Sequence, residues 1–391
     1  MKRLHLPILV GLVFTLGSRS LGAQAPTVTQ IAAAGHILAL LSDGTVTALG
    51  NNRSGQLGRP KSANGFLPAA RVELPGKVVQ VAAGEDEASY ALLEDGTVWA
   101  WGRGASRNLG VALTGATDRH TPGRVPGLAG VARITAFQAS VMAVMRDGSV
   151  RAWGELQPVL TGGQRVFPGV VNPIALEGLT NIADLVIGAA GGYALTRDGM
   201  VYAWGNNLKG ELGTGSATEQ PRGPALVPGV RDVVSIATVN GAAVVVTRDG
   251  RVWSWGSNEQ GGLGRGTSAD VREPGQPTPA PGPAITDAIE VKAGTFGRHF
   301  IVRRRNGTLI GWGNSDWGQL GAGISGDFQL KPTAIKLPDV EAYWLGGNFS
   351  FARTKDGSLW FWGEETAARG LLGVRGNQRV PAKVPLAKII P

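Results

Sequence analysis

The sequence predicts an all-β protein: a seven-bladed β-propeller of four-stranded antiparallel blades, closed by the C-terminal strand. Three observations predict it. A turn dipeptide recurs seven times, as Asp43-Gly44, Asp95-Gly96, Asp147-Gly148, Asp198-Gly199, Asp249-Gly250, Asn306-Gly307 and Asp356-Gly357. Six residues after each turn glycine stands a second one: Gly50, Gly102, Gly154, Gly205, Gly256, Gly313 or Gly363. Trp precedes it in six copies and Leu49 in the first. The steps between these second glycines are 52, 52, 51, 51, 57 and 50 residues. A fixed period of that size marks one supersecondary unit per repeat.

The chain opens outside the repeats. Lys2 and Arg3 give a positive start, and Leu6 to Leu16 is an apolar stretch of 11 residues, too short to span a bilayer. Leu21-Gly22-Ala23 then puts a small residue ahead of Gln24. This is the pattern of a secretory signal peptide. Residues 1–23 are expected to be that signal and residues 24–391 the propeller. The mature protein is then expected in the periplasm or outside the cell, without a membrane span.

One repeat shows how a blade is built. In the second copy, Val79 to Gly84 and Ala88 to Leu93 read as strands. Asp95-Gly96 reads as a two-residue hairpin loop of type I′, which needs positive φ at both residues. Val98-Trp99-Ala100-Trp101 is the return strand, rich in the β-branched and aromatic residues that a packed sheet favours. Gly102 ends it. A turn-rich stretch follows and closes on Leu-Gly: Leu57-Gly58, Leu109-Gly110, Leu212-Gly213, Leu263-Gly264, Leu320-Gly321 and Leu372-Gly373. The third copy lacks this motif. A short Pro-led strand comes last, as in Pro122 to Val125, Pro224 to Val227 and Pro332 to Ile335. Proline is tolerated there because the first residue of a strand need not donate to the ladder.

The two ends suggest how the ring closes. Pro381 to Leu386 form a Pro-led strand with no hairpin after it. The first copy begins at Val28 with no such strand before it. Pairing of Val384–Ile390 with the blade that carries Ile31–Leu40 is therefore expected, which would hide the edges of an open stack.

Composition narrows the function. With 60 Gly and only 17% charged residues among 391, the chain suits tight turns between buried strands. It has no Cys, which excludes disulfides, thiol chemistry and a lipid-modified cysteine anchor. The net charge of +9 falls to +6 once the signal takes away Lys2, Arg3 and Arg19. That is mild for this length and does not suggest a nucleic-acid partner.

The repeat resembles that of the regulator of chromosome condensation family. Trp204-Gly205-Asn206 through Gly210-Glu211-Leu212-Gly213, and Trp312-Gly313-Asn314 through Gly318-Gln319-Leu320-Gly321, carry its Trp-Gly-Asn and Gly-Gln-Leu-Gly elements. Gly50-Asn51 through Gly55-Gln56-Leu57-Gly58 matches apart from the missing Trp. His36 and His299 stand seven residues before the turn Asp or Asn, where the family often carries His. The resemblance spans residues 28–390. It implies a seven-bladed propeller but no single activity. Its founder promotes guanine-nucleotide exchange on a small GTPase, which gives one rival reading. A secreted bacterial branch, with a β-lactamase inhibitory protein, is similar in architecture and shares export.

A search for chemistry finds no catalytic, cofactor or metal motif. HExxH, a phosphate loop and Gly-x-Ser-x-Gly are absent. The turn Asp residues are explained by their hairpins. His36 and His299 read as packed, hydrogen-bonded strand residues. Glu85, Asp86 and Glu87 read as a solvated loop, and ten of the eleven Trp should pack between blades. The inter-blade connections remain: Arg103 to His120, Glu155 to Leu179, and Ser257 to Pro283. All are expected on the side of the ring opposite the hairpin turns. Loops on a rigid scaffold are where binding resides. Arg103, Arg107, Arg119, His120 and Arg124 cluster in one connection, and Trp317 lies outside the strands in another. These six are the candidate partner-binding residues. The reading is a monomeric, non-enzymatic binding scaffold for a protein or polysaccharide, with no cofactor. A propeller enzyme such as a polysaccharide lyase is the second rival.

Overall fold

Each repeat folds on itself because its apolar segments are short and are separated by glycine turns. The computed structural model describes residues 25–61, 65–111, 118–157, 160, 169–268, 276–294, 298–324, 326, 328–365 and 370–391. In it the segments form seven four-stranded antiparallel sheets, each of four consecutive strands. Blades 1 to 7 span residues 28–71, 78–124, 131–175, 182–226, 233–281, 288–335 and 340–384. Blade 2 shows the pattern: Val78–Gly84, Ala88–Leu93, Val98–Arg103 and Asp118–Arg124. The first strands of neighbouring blades touch all the way round the ring, so they line its axis. The expected signal, residues 1–23, lies outside the described residues.

The core is divided into seven clusters, and each one fills a seam between two blades. Trp101, Trp153, Trp204, Trp255, Trp312 and Trp362 are fully buried there, Trp344 is buried as well, and Trp99, Trp253 and Trp360 pack partly buried at the same seams. Ten tryptophans thus pack between blades, as the sequence predicts. Along the axis, side chains join first strands directly. Gln30 donates from Nε2 to Val81 O at 3.0 Å and accepts from Val81 N at 2.9 Å. Gln80 repeats this with Ile134 at 2.8 and 2.9 Å.

The hairpin differs from the expected two-residue turn. Gly44 N donates to Leu41 O, and Leu41 N donates to Thr45 O, both at 2.9 Å. The loop is therefore three residues long, Ser42-Asp43-Gly44. Gly44 has φ +83°, while Asp43 is not among the residues with positive φ. A type I turn followed by one left-handed residue gives the same right-handed twist as a type I′ turn and asks positive φ of glycine alone. The Asp is then free to bind forward: Asp43 Oδ1 accepts from Thr45 N at 2.9 Å and Thr45 Oγ1 at 2.7 Å.

Closure also differs. Val384 pairs with Leu359 inside blade 7, and blade 1 already has its own fourth strand, Phe66–Arg71. The Pro-led strand follows its Trp-Gly within the same repeat, so the first blade lacks nothing and no mixed blade forms. The last seam is sealed by side chains instead. Thr47 Oγ1 donates to Ile389 O at 2.7 Å, Arg353 Nη1 donates to Val28 O at 2.6 Å, and Ile389 is fully buried.

Candidate functional site

The two faces of the ring are built differently. On the turn face four of the seven blades repeat one set of bonds. Asp95, Asp147 and Asn306 hold Thr97, Ser149 and Thr308 as Asp43 holds Thr45. Hydroxyl bonds from Thr45, Thr97 and Ser149 are the main cause that holds these three carboxyls below their ordinary range. The turn glycine carbonyls of blades 1 to 6 accept the first-strand N–H of the next blade, from Val78, Val131, Ile182, Val233, Ala288 and Val340, at 2.9–3.2 Å. These aspartates are structural.

The opposite face carries two kinds of connection, joining strands one and two and strands three and four. They meet in blade 2, where Arg103 N donates to Glu87 O at 3.0 Å. In the seam between blades 1 and 2, Gln56 O accepts both Trp101 Nε1 at 2.8 Å and Ser89 Oγ at 2.7 Å. His36 Nε2 lies 2.6 Å from the same hydroxyl, and burial holds its pKa down at about 4. His299 and Ser350 repeat the pair at 3.3 Å between blades 6 and 7. Both histidines are packed strand residues that tie one blade to the next.

The acidic step is not a solvated loop. Glu87 has φ +68° and its carboxylate accepts Asn51 Nδ2 at 2.8 Å and Ser54 Oγ at 2.7 Å from blade 1. Asp86 accepts a hydrogen bond from Asn108 Nδ2, and burial pushes its carboxyl up to about 7. The sequence signal for this was available: three consecutive acids stand where no other copy has an acid. Among the described residues no cluster of three or more His, Cys, Asp or Glu is placed to hold a metal. No described helix is long and apolar enough to cross a membrane.

The six candidate residues are not one site. Arg103 and Arg107 are exposed on the loop face, and Arg107 Nη1 reaches Gly169 O of blade 3 at 3.5 Å. Arg119 and His120 are half-buried beside them on the fourth strand. His120 packs on Gly55 of blade 1, so close that a Cβ there would lie 2.8 Å from its Cα. Arg124 leaves the group. Its strand runs from the loop face, where Asp118 pairs with Arg103, to the turn face, where Arg124 pairs with Trp99 and sits in the field of Asp95. Seven residues of extended chain separate the two ends by about 20 Å. Trp317 is 43% exposed on the loop face of blade 6, three blades away around the ring. Its backbone N–H donates to Gln319 Oε1 at 3.0 Å.

One seam on the loop face is open. Between blades 3 and 4 lies a cavity of about 330 Å³, lined by Phe137, Met142, Leu156, Ile187 and Trp204 with Glu155 and Gln157. Trp204 is 1% exposed, and among the described residues its Nε1 has no hydrogen-bond partner. The buried Gln157 Oε1 has none either. This is the seam whose loop lacks Leu-Gly. Most of residues 158–168 lie outside the described residues.

Comparison with known proteins agrees with this architecture. The family described as RCC1-like domain matches residues 16–344. The human E3 ubiquitin-protein ligase HERC2 is 29% identical over 335 residues, covering 82% of this chain but only 7% of its own length. The ultraviolet-B receptor UVR8 of Arabidopsis thaliana is 29% identical over 358 residues, 88% of this chain and 78% of the receptor. Among solved structures, human WBSCR16 superposes with a TM-score of 0.73 at 20% identity, covering 87% of this chain and 94% of that one. Prp20p of Saccharomyces cerevisiae, in a structure that also treats its binding to Gsp1p and histones, gives 0.72 at 22% identity over 88% and 87%. At those identities the two structures speak for the fold alone.

Proposed function

The chain belongs to the RCC1-like domain family, and on that premise we propose that it is a non-enzymatic binding protein, secreted or periplasmic, that presents its loop face to a protein partner. The observation that carries the reading is the asymmetry of the two faces. The turn face repeats its glycine-carbonyl bond to the next blade in blades 1 to 6, and its Asp or Asn bonds in four blades. The loop face gathers the connections that differ, with Arg103, Arg107, Leu208 at 56% exposure and Trp317 at 43% standing free of the core. Variable loops on a rigid frame are where recognition resides. Arg and Trp are favoured at such contacts for their area and polar handles. Export is supported by Lys2, Arg3, the apolar run and Ala23 before Gln24.

The test is a pull-down from secreted or periplasmic extract with residues 24–391 as bait. The partner should be lost or weakened with Arg103→Ala, Arg107→Ala or Trp317→Ala, and kept with Arg124→Ala on the turn face. If Arg124→Ala weakens binding while the other three stay within about 0.5 kcal/mol of wild type, the binding face is the wrong one. Export is tested separately, by N-terminal sequencing of the full-length chain after expression: it should begin at Gln24, and a chain that keeps residues 1–23 would contradict export.

A further inference from the structure

We propose that the seam between blades 3 and 4 is a receptor for a short extended peptide of the partner, one that inserts a leucine-sized aliphatic side chain. The proposal rests on the loop face being the binding face and names one pocket within it.

The argument comes from what fills the other seams. In each, the blade's own loop folds back and inserts the Leu of its Leu-Gly motif. Leu57, Leu109, Leu212, Leu263, Leu320 and Leu372 are all 0–3% exposed. In five of these seams the residue before that Leu also gives its carbonyl to the buried indole of the next blade. Gln56, Asn108, Glu211, Gly262 and Gln319 accept from Trp101, Trp153, Trp255, Trp312 and Trp362 at 2.7–3.0 Å. Blade 3 has no Leu-Gly after Trp153-Gly154, although Trp204 stands ready in blade 4. The cavity, the indole donor without an acceptor and the acceptor Gln157 Oε1 without a donor lie together there.

The sisters show what the seam lacks, a backbone carbonyl for Trp204. The cavity beside Leu156, which the loop of blade 3 already buries there, has room for a further aliphatic side chain among Phe137, Met142 and Ile187, and Gln157 Oε1 adds a place for a backbone N–H. A peptide segment supplies all three. A buried donor left unpaired is costly, and a peptide carbonyl removes that cost on binding. The volume is at the lower end of what ligand pockets offer, about 300–1,000 Å³, which suits one side chain with its flanking amides. The mouth lies on the loop face, between Gln138-Ala139 and the exposed Ala189.

The probe is the blocked pentapeptide Ser-Gly-Gln-Leu-Gly, the sequence of residues 54–58, with a control carrying aspartate for leucine. Titration calorimetry on residues 24–391 should give saturable binding of the first and none of the second. Ala189→Phe, which plugs the mouth without touching the core, should weaken binding more than tenfold and leave the melting temperature unchanged. Trp204→Phe removes only the N–H and should weaken it about three- to tenfold. Three outcomes overturn the proposal. One is no saturable binding at millimolar peptide. Another is equal binding of the aspartate control or of Ala189→Phe. The last is binding that appears only when residues 161–168 are replaced by a Gly-Ser linker, which would mean that the chain occupies its own pocket. The pull-down above does not use this pocket's residues, so a failed peptide with a recovered partner removes the pocket and keeps the binding face.

Discussion

The seam between blades 1 and 2 and the seam between blades 3 and 4 grow from the same repeat and end differently. In the first, Leu57 fills the gap, Gln56 O takes both Trp101 and Ser89, and His36 completes the chain of bonds. On the axis Gln30 adds two more. In the second, the loop buries Leu156 instead and leaves a cavity beside it, and Trp204 has its N–H buried without an acceptor among the described residues. On the axis an ion pair, Arg133 to Asp184 at 2.9 Å, replaces the glutamine, and burial still pushes the Asp184 carboxyl up. The difference separates two jobs of one motif. The strands and turn make the blade. The loop after Trp-Gly makes the joint, and a blade survives without its joint motif because each sheet closes its own hydrogen bonds. That freedom is what lets one seam be given over to a ligand.

The sharpest way to break this contrast is to truncate the two tryptophans. Trp101→Ala should cost about 3–5 kcal/mol, as large aromatic truncations do in a packed core. Trp204→Ala should cost less by about 1–3 kcal/mol, because its loss also removes a buried donor that has no acceptor. Guanidinium unfolding of both variants decides it. Equal losses would mean that the two seams are packed alike.

A third kind of seam sharpens the comparison. Between blades 7 and 1, Gly357 O does not receive the bond that turn glycines make in the other six, among the described residues. The joint leans on the C-terminal tail, with Ile389 in the core and its carbonyl on Thr47. Deleting residues 386–391 should therefore cost about 2–5 kcal/mol, the range for emptying a buried aliphatic site. A melting temperature unchanged within a degree or two would show that the ring closes without the tail.

How much of this was legible in the sequence follows from how local each signal is. Asp-Gly, Trp-Gly and Leu-Gly act within about ten residues, so the blades, their number and the buried tryptophans could be read directly. The missing Leu-Gly of copy three was visible too, though not that it leaves a cavity, since nothing in a linear motif says which neighbour it fills. Closure was misread for the same reason. The strand at Pro381 looks alike whether it pairs with Leu359 or with a strand 340 residues earlier. Arg124 was grouped with Arg103 because the two are near in sequence, whereas a strand carries a charge from one face to the other within seven residues. Glu87 and Asp86 were read as solvent-exposed because their partners, Asn51, Ser54 and Asn108, lie in other loops.

Acid should act on the first seam and spare the second. Burial holds His36 at about 4 against an ordinary 6.5. Between those values the unfolded chain takes up a proton that the folded chain refuses, so stability is full above about pH 6.5 and falls as the pH drops toward 4. The whole difference is about 3 kcal/mol. The matching place in blade 7 holds Phe349, and in blade 3 Ser140, so those blades lack this group. Urea unfolding of wild type and His36→Phe at pH 7 and pH 4.5 measures it: the variant should lose less on acidification. Identical losses would show that His36 is protonated at no cost in its seam.

The smallest effects belong to the turn face, where the two seams are alike. Gly148 has φ +85°, and a Cβ there would meet Asn181 Cα of blade 4 at 2.9 Å. Gly148→Val forces a β-branched residue into that conformation and should cost about 1–3 kcal/mol from backbone strain. Its neighbour should be almost indifferent. Asp147 Oδ1 accepts from Ser149 N at 2.9 Å and from Ser149 Oγ at 2.7 Å, and Asn306 Oδ1 makes the same two bonds to Thr308 at 3.0 and 2.7 Å. An amide oxygen therefore does there what the carboxylate does. Asp147→Asn should leave the melting temperature within about 2 °C of wild type and leave partner capture intact. Loss of capture at unchanged melting temperature would give the turn face a role in binding, and the contrast between faces would then have to be drawn the other way round.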